Sequence, residues 1–107
     1  MTTPLRLHPE ARDERRRVLK HMRSPEAAAR FRAAVDHVFD SIEDNPAQFP
    51  EHGLLAVQNG QALFYAVRRA VVPKFPYVIF FFVRRRVAIV LAVAHGRRRP
   101  GYWSERR

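Results

Sequence analysis

Apolar and polar positions follow two rhythms along this chain, a helical one in the first half and a strand-like one in the second. His8-Pro9-Glu10 opens a segment running to about Met22, with Ala11, Val18, Leu19 and Met22 on roughly one face. A proline at the first helical position, acids early (Glu10, Asp13, Glu14) and bases late (Arg15, Arg16, Arg17, Lys20) suit the helix dipole. The spacing predicts a surface helix with a narrow buried stripe. A second, stronger helix is predicted from Ser24-Pro25-Glu26, where an N-cap serine precedes proline and an early acid, and Phe31, Val35, Val38, Phe39 and Ile42 recur at helical spacing. Asn45-Pro46 stops it, because the residue before a proline is pushed out of the helical region, and Phe49-Pro50 repeats the signal. Ahead of both helices, Leu5-Arg6-Leu7 alternates and predicts a short edge strand.

The second half reads as sheet. Leu63 to Val72 is rich in strand formers but shows no clean alternation, so its faces stay unassigned. Pro73-Lys74-Phe75-Pro76 is a turn, Tyr77 to Val83 a strand, Arg84 to Arg86 a tight connection and Val87 to Ala94 another strand, an antiparallel meander. Gly53 to Gln61, with Asn59-Gly60, is expected to be a loop or small hairpin. The last two strands are apolar at every position, so both sheet faces require cover. Two helices cover one face. The loop and the tail from Gly96 to Arg107 are short and polar, so a partner chain is expected to complete the other, at an apolar patch rimmed by arginine. A homodimer, or helices that wrap farther, would serve the same purpose.

Composition narrows the class. The 107 residues suit one domain spanning the whole chain, with one modest core. The lack of cysteine excludes disulfides, zinc-thiolate sites and cysteine nucleophiles, and fits a reducing compartment. No apolar run is long enough to span a bilayer, and Met1-Thr2-Thr3-Pro4-Leu5-Arg6 leads into no secretory signal. The five histidines lack metal-ligand spacing, Ser24 and Ser41 sit in helical contexts without a nucleophile elbow, and there is no glycine-rich phosphate loop. No metal and no cofactor is expected. Twenty Lys+Arg against ten Asp+Glu leave a formal charge of +10. Residues 1–53 balance nine against nine, whereas residues 54–107 hold eleven basic residues against Glu105 alone. An anionic partner, nucleic acid or an acidic protein segment, would gain on-rate and affinity from that field.

The end of the chain is the most distinctive part. His95-Gly96-Arg97-Arg98-Arg99-Pro100-Gly101-Tyr102-Trp103 follows a strand that itself follows Phe75-Pro76-Tyr77-Val78-Ile79-Phe80. Together with His8-Pro9-Glu10-Ala11 and Ala28-Ala29-Arg30-Phe31, this order resembles the RelE/ParE superfamily of type II toxin-antitoxin toxins over nearly the whole chain, closer to the ParE-like, plasmid-stabilisation branch. The resemblance implies an α+β fold, a short N-terminal strand and a helical hairpin packed on a curved, mainly antiparallel sheet. It also implies a bacterial cytoplasmic protein neutralised by a cognate antitoxin that wraps around it as a hetero-oligomer. The antitoxin would supply the missing cover, taken here at Tyr77, Ile79, Phe80, Phe81 and Phe82.

Within that superfamily RelE-like members cleave messenger RNA on the ribosome, whereas ParE-like members inhibit DNA gyrase without doing chemistry. RNA cleavage through the 2′-hydroxyl needs a base, cations around the phosphate and an acid for the leaving oxygen. His95, Arg97, Arg98 and Tyr102 are the catalytic candidates. Gly96 and Tyr77, however, fall where the RelE-like pattern carries arginines, so the ribonuclease set is incomplete. The expectation is a non-catalytic, ParE-like gyrase inhibitor whose target contacts come from Arg97, Arg98, Arg99, Tyr102, Trp103 and Arg106, with nucleic acid a possible contact through the target. A ribosome-dependent endoribonuclease and an inactive, toxin-derived binding module are the alternatives. For Arg84, Arg85 and Arg86 the expectation is a solvated turn that guards the hairpin against aggregation.

Overall fold

Two prolines, each one residue past a capping side chain, start the helices. His8 Nδ1 accepts from the Glu10 N–H at 3.1 Å ahead of α1 (Pro9–Lys20), and Ser24 Oγ accepts from the Ala27 N–H at 3.1 Å ahead of α2 (Pro25–Asp44). The structure, a computed structural model, describes residues 2–58, 62–99 and 101–106. The first helix ends two residues before Met22, because the His21 N–H returns to the carbonyls of Arg17 and Val18 at 3.2 Å and its ring nitrogen also meets the Arg17 carbonyl at 2.8 Å. Asn45-Pro46 stops α2 as expected, and a 3-10 turn, Pro46–Gln48, leads on to the sheet.

The sheet has five strands, β1 (Leu5–Leu7), β2 (Glu51–Gln58), β3 (Ala62–Val71), β4 (Tyr77–Arg84) and β5 (Val87–His95), in the order β1-β5-β4-β3-β2. β1 runs parallel to β5, pairing Leu5 with Ala88, and every other pair is antiparallel. This is the expected α+β architecture, with both helices packed on a mixed sheet. Of the loop or small hairpin expected over Gly53 to Gln61, the hairpin is found: Gly53 to Gln58 belong to β2, which pairs antiparallel with β3, while Asn59, Gly60 and Gln61 lie outside the described residues. Gly53 takes φ +90° where the register skips between Glu51 and Leu54, a bulge that glycine accommodates without steric cost. A second bulge interrupts the β4–β5 ladder between Phe80 and Phe81. Arg85 and Arg86 form the two-residue β4–β5 turn, at φ 51° and 65°, positions where Asn-Gly is usual.

Strand alternation now assigns the faces. Ala70, Val72, Ile79, Phe81, Ala88, Val90 and Val93 pack under Phe31, Val35, Val38, Phe39 and Ile42 of α2 and Ala11 of α1. On the opposite face Leu55, Val67, Val78, Phe80, Phe82, Leu91 and Ala94 form a second buried cluster. This overturns the expectation of an open apolar face. Of the patch assigned to a partner, Ile79 and Phe81 are fully buried under the helices, Tyr77 is half-buried against Phe31, and Phe80 and Phe82 are closed over on the other side. Over Phe82 the cover is Tyr65 of β3, with ring centroids 5.4 Å apart, and over Phe80 it comes from the tail judged too short and polar to provide it. Gly101, at φ +79°, turns the chain into a 3-10 segment, Tyr102–Glu105, that lays Trp103 onto Phe80 with ring centroids 5.5 Å apart. An aromatic side chain of this size buries roughly 150–250 Å², so one indole covers much of a small patch.

Candidate functional site

The fastening of that tail begins with an acid on the buried stripe of a helix. Glu14 lies three residues after Ala11 and four before Val18, so the helical period turns it inward, and it is 5% exposed. α1 runs beside β5 just beyond the end of β1, where the strand has no further neighbour. There Glu14 Oε1 accepts from the Val93 N–H at 3.1 Å. Its two oxygens also accept from the tail. The Tyr102 hydroxyl donates to Oε2 at 2.6 Å, and Arg106 donates to Oε1 at 2.7 Å and Oε2 at 3.3 Å. Arg106 further donates to the Leu91 carbonyl at 2.9 Å and pairs with Glu10 at 3.1 Å. A buried carboxylate with this many donors is satisfied, as burial of charge demands.

The electrostatics follow from that arrangement. The Tyr102 phenol is pushed above its ordinary value, first by burial and then by the hydrogen bond and negative charge of Glu14, so its proton is held tightly. Burial alone would lower the Arg106 guanidinium, but the hydrogen bond to Glu14 and the charges of Glu14, Tyr102 and Glu10 outweigh it and raise the net value. Tyr102 is gripped on its ring as well, with the Arg98 guanidinium 4.1 Å and the Arg106 guanidinium 4.9 Å from the ring centroid.

The expected site residues thus divide into two groups. Trp103, 3% exposed, and Arg106 are engaged within the chain, and the Trp103 Nε1 is buried with no acceptor among the described residues. His95, Arg97, Arg98 and Arg99 are exposed at the end of β5 and in the turn after it. His95 Nδ1 accepts from the Arg97 N–H at 3.1 Å, and its ring meets Tyr77 edge-on at 5.5 Å. Pro100 and Arg107 lie outside the described residues.

The exposed group borders a cleft of about 210 Å³ on the tail side of the sheet, with Val78, Phe80 and Ala94 as its floor. Its walls bring in two residues that the sequence reading passed over, His52 and Arg69. Adjacent strand residues point to opposite faces, so Arg68 and Arg69 part company. Arg68 turns to the helix side, where it donates to the Phe49 carbonyl at 2.6 Å and pairs with Glu51 at 3.6 Å. Arg69 enters the cleft. The Arg-Arg pair inside a predicted strand was the available signal, but the strand's faces could not be assigned without its register. Glu14 also went unrecognised, because its position early in a helix explains an acid equally well.

Exposed apolar surfaces also lie elsewhere among the described residues, besides Val71 at the end of β3. Leu54 and Phe64, 64% and 65% exposed, sit on the hairpin of β2 and β3 beyond the reach of the helices. A groove of about 550 Å³ between α2 and the β3–β4 turn is floored by Ala33, Ala34 and Phe75 and edged by Arg30, His37 and Lys74. Among the described residues no helix is long and apolar enough to cross a membrane. A family model described as the ParE toxin of type II toxin-antitoxin system, parDE, matches residues 5–100. No curated protein matches the chain.

Proposed function

Because the chain belongs to the ParE toxin family of type II toxin-antitoxin systems, with the antitoxin partner that membership implies, we infer that it is a non-catalytic toxin acting through binding, with DNA gyrase as its target. What supports this is the state of Tyr102, one of the candidate acid-base groups. The Tyr102 hydroxyl proton is committed to Glu14 and its affinity for that proton is raised, so the phenol is a poor shuttle near neutral pH. The arginines of the same segment remain outside, as a contact surface requires.

Antitoxin docking falls on the exposed apolar surfaces in this reading, the Ala33–Phe75 groove and the Leu54–Phe64 hairpin, rather than on the β4 residues now buried. The cationic edge of the groove at Arg30, His37 and Lys74 suits an amphipathic segment with acids beside its apolar face. The test is to induce the toxin without antitoxin while following transcript integrity, and to assay the purified chain in a gyrase supercoiling reaction. Blocked supercoiling with intact transcripts is expected. Prompt transcript cleavage at ribosomes, with supercoiling untouched, would establish the endoribonuclease instead, and no effect in either assay the inactive module.

A further inference from the structure

We propose that the exposed stripe of α2 is a self-association surface, on which a second copy of this chain lays its own α2 antiparallel about a two-fold axis near His37.

Two adjoining concavities meet at His37. On one side is the groove of about 550 Å³, apolar on its floor and cationic at Arg30 and Lys74. On the other is a groove of about 390 Å³ whose lining includes Asp40, Ser41, Glu43 and Asp44, and His37 lines both. Arg30, Ala33, His37, Asp40 and Asp44 recur every three or four residues, so they share one side of α2, and all five are exposed. The stripe is cationic toward the helix N-terminus and acidic toward its C-terminus.

Neither charged end is compensated within the chain. Among the described residues Arg30, Lys74, Asp40, Glu43 and Asp44 form no ion pair. Glu43 and Asp44 stand in the last turn of α2, where the helix dipole already concentrates negative charge and no basic residue offsets them. Cations from outside would relieve that arrangement.

The order of charges selects the occupant. An acidic segment meets Arg30 and Lys74 favourably but runs onto Asp40 and Asp44 farther along, and a basic segment does the reverse. A second α2 laid antiparallel matches both ends. Arg30 and Asp44 each lie seven residues from His37, so the two-fold sets Arg30 opposite Asp44 of the second copy and repeats the pair at the other end. Ala33, Ala34 and Ser41 between them are small, which lets two helices approach closely. The surface is also preformed: Phe75 is fixed at the groove by edge-on contact with Phe31 at 5.2 Å, and Lys74 before it is held at φ 67°, a costly conformation for a residue with a side chain.

From Arg30 to Asp44 the stripe is only about 21 Å long, so the dimer is weak and transient. A copy seated here excludes the antitoxin segment from the Ala33–Phe75 groove, yet self-association itself requires neither that segment nor gyrase.

Sedimentation equilibrium of the full chain, at loading concentrations from about 5 to 500 µM, tests this. The wild type is expected to pass from monomer to dimer as concentration rises. Arg30→Asp and Asp44→Arg should each weaken the dimer about tenfold, since each turns two attractions into repulsions. Arg30→Asp/Asp44→Arg restores both pairs with their signs exchanged and should return to within about threefold of the wild type. Arg30→Asp also lowers the net charge of +10 by two, so general repulsion between basic chains would tighten association where this interface weakens it. All three variants change exposed positions, and circular dichroism should show them folded. A wild type monomeric throughout, single variants that associate unchanged or more tightly, or a double variant as weak as the singles would each overturn the proposal. The gyrase and transcript assays are read separately, so failure of the proposed target leaves the dimer standing, and a monomeric chain leaves the target standing.

Discussion

The two faces of one sheet are closed by different means. On the helix side, twelve- and twenty-residue helices lay down a broad apolar layer in which each side chain has several neighbours. On the tail side, cover over β4 and β5 depends on Trp103 and Tyr102 from a four-residue turn, held by a polar latch rather than by further apolar contact. The first arrangement spreads its stabilisation over many residues. The second concentrates it, so a few substitutions in the latch or the indole should open one face while the other stays closed.

The sharpest break in that comparison is at Glu14. Glu14→Ala removes the acceptor for Arg106, Tyr102 and the Val93 N–H together, leaving a guanidinium whose side chain is only 10% exposed with Glu10 as its remaining acid and the Leu91 carbonyl as its remaining buried acceptor. A loss of about 3–5 kcal/mol is expected in urea unfolding. Trp103→Ala should cost a similar ~3–5 kcal/mol and expose Phe80 to a hydrophobic dye, while Phe82 stays under Tyr65. Trp103→Phe should cost far less, because the ring position is kept and the lost indole N–H had no partner among the described residues. Phe31→Ala makes the contrast. It lies under the helices, edge-on to Phe75 and Tyr77, so a comparable loss there should weaken both faces together.

Tyr102 gives a gentler test with a pH signature. Tyr102→Phe removes one hydrogen bond to a charged acceptor and should cost about 1.5–3 kcal/mol at neutral pH. The folded phenol holds its proton more tightly than the unfolded one, whose value is 10.0. Its contribution is therefore complete below pH 10 and is lost as pH climbs above it, while the unfolded chain alone deprotonates. The wild type should lose stability above pH 10 more steeply than Tyr102→Phe, measured by urea midpoints at each pH. The smallest effect belongs to the β4–β5 turn, which covers neither face. Arg85→Asn/Arg86→Gly relieves two left-handed arginines and should stabilise by about 1 kcal/mol or slightly more, without altering Trp103.

The same contrast explains what could be read before the structure was known. The helices, their caps and the β4–β5 meander follow from local periodicity and turn chemistry, and Phe31, Val35, Val38, Phe39 and Ile42 form the buried stripe their spacing requires. The tail-side closure was not legible, because it depends on contacts between residues far apart in sequence, such as Glu14 and Arg106. Composition made the tail look polar, yet one indole and one satisfied ion pair outweigh its many arginines. Arg69 was hidden for a related reason: its direction depends on the register between β3 and β4, which pairs it with Phe80.

The division of the tail into a fastening and an exposed basic surface is the central claim, and the chain's single tryptophan reports on it directly. The measurement is fluorescence of Trp103 with iodide quenching, in the wild type and in Glu14→Ala, at urea concentrations where circular dichroism still shows folded protein. Blue-shifted, poorly quenched emission in the wild type, turning red-shifted and accessible in Glu14→Ala, is the predicted result. Emission already exposed in the wild type, or still buried and unchanged in the folded variant, would contradict it.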